Sequence, residues 1–313
     1  MLYGSPMPLD PAAKNLLDML ASAGGPPLHE MKPVDARAMF GAMAGLGGPG
    51  AEVASVVDVE LDGVPCVVVT PVGSGPFPAL VWIHGGGWVI GSAPESVPLA
   101  RDIAASVGCV VVSVDYRLAP EHRAPAAVDD CLAAVAAVFD RATEFGIDTG
   151  RVAVGGDSAG GNLAALAAIE FGPRLCHQLL VYPATDLTLG HPSIDENAEG
   201  YLLTKSSMEW FVGHYLSESG RSGDDPSLSP LFASDSALAA TPSAFVITAE
   251  FDPLRDEGEA YAARLATAGV PVVQRRFDGQ IHAFFTMGAL IPAGAEAVAQ
   301  ACEQLRAAFG VSA

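Results

Sequence analysis

The chain has 313 residues, half of them hydrophobic, with 36 acidic against 16 basic residues and a formal net charge of −20. That length and apolar share suffice for one large core, while the acidic surplus disfavours nucleic acid, anionic membrane surfaces and polyanionic substrates as partners. The longest apolar runs, such as Cys109–Val114 and Cys131–Phe139, end well short of the ~18 residues that would cross a bilayer, so no membrane span is expected.

The first residues, Met1-Leu-Tyr-Gly-Ser-Pro6, lack the basic stretch and apolar run of a secretory signal, which points to the cytoplasm. The five cysteines, Cys66, Cys109, Cys131, Cys176 and Cys302, are widely spread and form no C-x-x-C pair. They are expected as free thiols acting as small buried hydrophobes rather than as metal ligands.

In chain order, helical spacing predicts helices over Ala12–Ala23 and Pro33–Ala44. Short Val, Ile and Leu runs then predict strands over Cys66–Thr70, Ala79–Ile83, Cys109–Val114, Arg151–Gly155, Gln178–Tyr182, Ala244–Thr248 and Val270–Arg275. Their apolar runs do not alternate with polar residues, as expected of strands covered on both faces. Alanine-rich helices lie between them, over Val97–Val107, Pro125–Thr143, Ala159–Glu170, Glu257–Ala268 and Ala293–Phe309. Such alternation predicts an α/β fold with a mostly parallel central sheet, helices on both faces, and a ligand crevice at the carboxyl ends of the strands. Two segments break the pattern: residues 1–50, and the Ser-, Asp-, Gly- and Pro-rich stretch 186–240 with a helix over Ser206–Leu216. Both are candidates for a helical cap over a catalytic domain spanning 51–313.

Within Arg151-Val-Ala-Val-Gly155-Gly156-Asp157-Ser158-Ala159-Gly160-Gly161 an apolar strand runs through G-x-S-x-G into a helix. Small residues on either side let the backbone turn sharply enough to lift the Ser158 hydroxyl above the sheet. Asp157, its neighbour at such a turn, is expected to support the structure rather than the chemistry. Upstream, a strand leads into His84-Gly85-Gly86-Gly87-Trp88, a loop nearly without side chains. It can offer backbone N–H groups to a carbonyl oxygen that gains charge in a tetrahedral intermediate, each donor contributing ~3 kcal/mol. Gly85, Gly86 and Ala159 are the expected donors. No G-K-[ST] and no G-x-G-x-x-G frame follows, which sets phosphate and dinucleotide loops aside, and His84 is expected to tie the loop down.

Serine needs a base, and the base an orienting carboxylate, in the chain order Ser, Asp or Glu, His for this kind of turn. The strand Ala244–Thr248 ends in Ala249-Glu250-Phe251-Asp252-Pro253-Leu254-Arg255-Asp256-Glu257-Gly258. Asp252, just past the strand and before a proline, is the first choice, with Glu250 second; Asp256 and Glu257 fit as first-turn helix charges. His282 follows the last strand and a turn at Asp278-Gly279-Gln280. The other six histidines, His29, His84, His122, His177, His191 and His214, precede Asp252 and so break the order.

Together, His84-Gly-Gly-Gly87, Gly156-Asp-Ser-Ala-Gly160, Asp252-Pro-Leu-Arg-Asp-Glu-Gly258 and His282-Ala-Phe284 resemble the hormone-sensitive-lipase-like esterases, the bacterial family IV carboxylesterases of the α/β-hydrolase fold. Asp115-Tyr-Arg-Leu-Ala-Pro-Glu-His122, Ser229-Pro-Leu231 and the opening Pro8-Leu-Asp-Pro11 are similar to further segments of that family. The resemblance implies a two-part cap, the triad Ser158, Asp252 and His282, and oxyanion donors at Gly85, Gly86 and Ala159. It also implies cleavage of small neutral esters of short to medium acyl chains, no metal or organic cofactor, and a homodimer joined through an edge strand. One departure is Ala283, where the family usually carries glycine. An amidase, lactonase or deacetylase could use the same groups, and a non-catalytic ligand-binding relative would have lost His282. Trp88, Tyr201, Trp210 and Phe211 are candidates either for the pocket wall or for plain core.

Overall fold

The computed structural model describes residues 8–43 and 48–311; Met1–Pro6 and Ala44, used above, lie outside them. Eight strands form one sheet in the order β1-β2-β4-β3-β5-β6-β7-β8, namely β1 Ser55–Leu61, β2 Val64–Thr70, β3 Phe77–Ile83, β4 Val110–Val114, β5 Ile147–Asp157, β6 His177–Val181, β7 Ser243–Phe251 and β8 Val272–Ile281. β1, β2 and β4 pair antiparallel, and every pairing from β4 to β8 is parallel. The sheet is therefore mostly parallel, as the alternation of runs predicts.

β1 has no counterpart in the sequence reading. Its Val and Leu residues are broken by Asp58 and Glu60, and most of its positions face solvent at the sheet's edge, so it carries no continuous apolar run. The signal that marks it is the turn: Asp62 and Gly63, with φ of 51° and 82°, make a two-residue hairpin of the kind Asp-Gly favours. β8 departs in the other direction. It continues through Asp278–Gln280, where a turn was expected, because the β7–β8 ladder shifts register between Ala249 and Phe251 and Gly279 takes a φ of +76°. A bulge of this sort absorbs extra residues without ending the strand. As the other edge of the sheet, β8 is exposed over most of its first half, whereas β3, β4 and β6 are almost wholly buried.

The helices are α1 Pro11–Ala23, α2 Pro33–Met43, α3 Val97–Val107, α4 Ala126–Asp140, α5 Ala159–Phe171, α6 Pro192–Glu196, α7 Lys205–Leu216, α8 Asp235–Ala239, α9 Arg255–Thr267 and α10 Pro292–Phe309. α4, α5 and α9 bury their apolar faces against one side of the sheet, and α1, α3 and α10 against the other. Within Pro125–Thr143 the helix covers Ala126–Asp140, closed by the Arg141 N–H bonding back to Ala137 O. α1 starts where Asp10 accepts the N–H groups of Ala12 and Ala13, a side-chain cap ahead of a proline at the first helical position. No helix among the described residues is long and apolar enough to cross a membrane.

Candidate active site

β5 ends at Asp157 and α5 begins at Ala159, so Ser158 carries the whole change of direction. Its φ of 56° and ψ of −119° lie where a side chain is strained, and the surrounding packing holds it there. A Cβ on Gly160 would collide with the carbonyl oxygens of Ile83 and His84, which explains why the helix can lie so close to β3. Ser158 N–H donates to Val181 O at 2.9 Å, fixing the turn to β6.

The structure brings Ser158, His282 and Asp252 into one hydrogen-bonded chain. His282 Nδ1 lies 2.7 Å from Asp252 Oδ2, and Nε2 lies 3.0 Å from Ser158 Oγ. With Asp252 as acceptor, the ring proton sits on Nδ1 and leaves Nε2 free to accept from the serine hydroxyl. Asp252 is completely buried, and its second carboxylate oxygen accepts the Leu254 N–H at 2.9 Å, so the acid is held from two sides. Tyr182 packs against the imidazole with ring centroids 4.6 Å apart. Ala283 adopts a φ of +67°, a left-handed conformation that glycine takes without cost to a Cβ. The methyl there is tolerated, and His282 reaches both partners.

The other carboxylates after β7 have separate work. Glu250 Oε2 accepts the Gly279 N–H at 2.7 Å across the β8 bulge. Asp256 lies in the first turn of α9, bonded to Arg255 and Ser193. Glu257, expected as a first-turn charge, is fully buried instead, where its Oε1 accepts the N–H groups of Thr185 and Asp186. Burial pushes its pKa up against the pull of those two N–H groups, and the side chain clamps the 185–186 backbone to the first turn of α9.

The glycine loop requires one correction. The Gly85 N–H donates to Asp157 Oδ1 at 3.0 Å, so this group is already engaged and does not face the serine as a free donor. The N–H groups of Gly86 and Gly87 have no acceptor among the described residues, and neither does that of Ala159, the first residue of α5. The first N–H groups of a helix lack intrahelical partners and carry its positive end, which favours a developing anion. Three consecutive glycines leave nothing in the sequence to say which N–H groups are engaged elsewhere; the side chain of Asp157 takes that of Gly85. His84 does tie the loop down: its Nδ1 lies 2.7 Å from Gly85 O, its ring stacks on Tyr116 at 4.3 Å, and burial pushes its pKa down. The Tyr116 hydroxyl completes the tie by donating to His84 O at 3.0 Å.

A cavity of about 1020 Å³ opens over Ser158 and His282, walled on one side by α1 and α2 and on another by the 186–240 segment through Leu203, Met208 and Phe211. Trp88 and Phe211 line it, whereas Tyr201 stacks on Phe251 and Trp210 packs edge-on against Phe211 and His214. Arg37 of α2 was not singled out by its sequence context, yet it ties that helix to the core. Its Nε donates to Val89 O, its Nη2 to Ala119 O, and both Nη atoms to Glu121.

Fold and hydrogen-bonded chain together define the class as an α/β hydrolase. A family model described as alpha/beta hydrolase fold matches residues 80–286. The chain is 42% identical over 253 residues to the carboxylic ester hydrolase LipN of Mycobacterium tuberculosis, covering 76% of this chain and 67% of that protein. It is 35% identical over 286 residues to an arylesterase of Saccharolobus solfataricus, covering 89% and 92%. An ester hydrolase from the metagenome of Lake Arreo, solved with a bipyridine phosphonate derivative, superposes with a TM-score of 0.92 at 39% identity, covering 97% of this chain and all of that one. The chain belongs to the α/β-hydrolase-fold family, in the hormone-sensitive-lipase-like branch that its motifs resemble.

Proposed function

We propose that the protein is a serine carboxylesterase that cleaves small neutral carboxylic esters through an acyl-enzyme on Ser158. The observation that carries this reading is the continuous hydrogen-bonded path from Ser158 Oγ through His282 to buried Asp252. His282 Nε2 takes the hydroxyl proton as Ser158 attacks the ester carbon, and Asp252 holds the tautomer and stabilises the imidazolium that forms. The carbonyl oxygen, now negative, is held by the N–H groups of Gly86, Gly87 and Ala159. His282 returns its proton to the leaving alcohol, and the ester bond breaks. Water then attacks the acyl-enzyme with the same histidine as base, freeing the acid and restoring the serine.

Residues 8–43 and the 186–240 segment act as the two parts of a cap that covers the site and screens it from water. Their side chains line the same cavity as Ser158, which supports that role. We place the protein in the cytoplasm, a setting that suits its five free cysteines.

The test is hydrolysis of p-nitrophenyl esters from acetate to palmitate by wild type, Ser158→Ala and His282→Ala. Wild-type turnover that falls by roughly a thousandfold or more in both variants is the expected result. Turnover that survives in Ser158→Ala, or amides cleaved faster than matched esters, would overturn the assignment.

A further inference from the structure

The turn that leads from β7 into α9 carries Asp252 and is poorly equipped to hold itself. Pro253 has no N–H to donate, no main-chain N–H among the described residues reaches Pro253 O, and Leu254 gives α9 no side-chain cap. α6, in the 186–240 segment, supplies what the turn lacks. Ser193 Oγ donates to Pro253 O at 2.6 Å and accepts the Asp256 N–H at 3.1 Å, so a residue 63 positions earlier takes one of the orphan first-turn donors of α9. Asn197, at the C-terminal end of α6, donates from Nδ2 to Asp252 O at 3.1 Å. The Ser193 N–H donates to Asp256 Oδ2 at 2.9 Å, and Arg255 closes the outer side on Glu196 at 2.6 Å. Ser193 and Asn197 are buried, as are Asp252, Pro253 and Leu254.

We propose that Ser193 and Asn197 are positioning residues for proton transfer: they fix the turn that aims Asp252 at His282, so that α6 sets the geometry of the acid. The inference rests on the esterase reading above. Asp252 uses one carboxylate oxygen on the Leu254 N–H at 2.9 Å and the other on His282 Nδ1 at 2.7 Å. Its carboxyl therefore moves with the 252–254 backbone, and α6 holds that backbone by two successive carbonyls. Neither Ser193 nor Asn197 lines the cavity over Ser158, so neither acts on a substrate by contact. Removing either donor leaves a buried carbonyl short of a partner and lets the turn shift toward another. A misplacement of about 1 Å far from the chemistry can cost on the order of a hundredfold in rate. The loss falls on kcat, because the contact between Asp252 and His282 matters most as the imidazolium forms.

The experiment compares wild type with Ser193→Ala, with Asn197→Leu, which fills the site without the donor, and with Lys205→Ala, which breaks only the exposed pair with Asp195. Each is first shown to be folded by its thermal melt; should one of the two α6 variants not fold, the other decides. kcat and KM are measured for p-nitrophenyl butyrate. The far-downfield proton resonance of His282 Nδ1, identified by its loss in His282→Ala, is recorded without substrate. Ser193→Ala and Asn197→Leu are each expected to lower kcat about tenfold or more while KM changes less than about twofold, and to shift or broaden that resonance. Lys205→Ala should match wild type in both. A purely structural role would lower the melting temperature and leave the resonance and the kcat of the folded enzyme unchanged, and that result overturns the inference. A rise in KM at unchanged kcat also overturns it, since α6 would then act on substrate binding. Absence of ester turnover in wild type overturns the esterase reading instead, and the resonance alone then decides whether α6 positions Asp252.

Discussion

Asp157 stands between Ser158 and the glycine loop, and its chemistry there is unusual for an aspartate. Burial pushes its carboxyl up to about 6, against the opposing pull of the Gly85 N–H and of His282. The folded protein thus holds a proton that the unfolded chain has already released, a stabilising contribution present at low pH that is lost as the pH rises from about 4 to about 6. Asp157→Asn is neutral throughout and keeps an oxygen for Gly85. Its stability relative to wild type should therefore rise across that window by on the order of 2 kcal/mol, a difference read from urea melts at several pH values. A relative stability that stays flat from acid to neutral pH would mean that Asp157 is not buried as described. His177 works in the opposite sense: burial pushes its pKa down to about 4, so its contribution is lost as the pH falls from 6.5 toward 4. At this scale the meeting of Ser158, Asp252 and His282 in one hydrogen-bonded chain was legible, because chain order eliminates every rival histidine and strand ends narrow the acids. The engagement of the Gly85 N–H was not, since it depends on a side-chain contact with Asp157, 72 residues away.

α2 depends on Arg37 for its place over the site. One guanidinium spans Val89 O at 2.8 Å, Ala119 O at 2.8 Å and a bidentate pair with Glu121, and the same arginine holds the Glu121 carboxyl below its usual range. Two of these acceptors are main-chain carbonyls on the segments that follow the glycine loop and β4, so the helix is registered against that loop. Arg37→Ala should cost about 1–3 kcal/mol of stability and raise KM several-fold with a smaller change in kcat, since it loosens the cavity wall and leaves the triad in place. Steady-state kinetics with a thermal melt checks this, and an unaltered KM would show that α2 does not shape the substrate site. The elements themselves were legible where burial was double-sided: β3, β4 and β6 appear as unbroken apolar runs. β1 and the end of β8 were missed because edge position removes that requirement, and because a glycine bulge looks like a turn to any rule based on local composition.

Across the whole molecule, one sheet with apolar helices on both faces brings residues from three distant points of the chain to its carboxyl edge. β5 delivers Ser158, the loop after β7 delivers Asp252, and β8 delivers His282. Parallel pairing from β4 to β8 makes this possible, because every parallel strand ends on the same side. The alternation of runs in the sequence was enough to foresee that arrangement. The shape of the cavity was not, because it is set by how α1, α3, α7 and α10 meet, and by small residues whose absence of bulk has no sequence signature.

The claim on which all of this turns is that Ser158 is the group that becomes acylated. Incubating wild type, Ser158→Ala and His282→Ala with diethyl p-nitrophenyl phosphate, followed by intact-mass analysis and peptide mapping, tests it directly. A single diethylphosphoryl adduct on the peptide containing Ser158, absent from Ser158→Ala and formed far more slowly in His282→Ala, is the predicted result. Labelling of Ser158→Ala to the same extent as wild type, or an adduct mapped to another residue while ester turnover is lost, would contradict it.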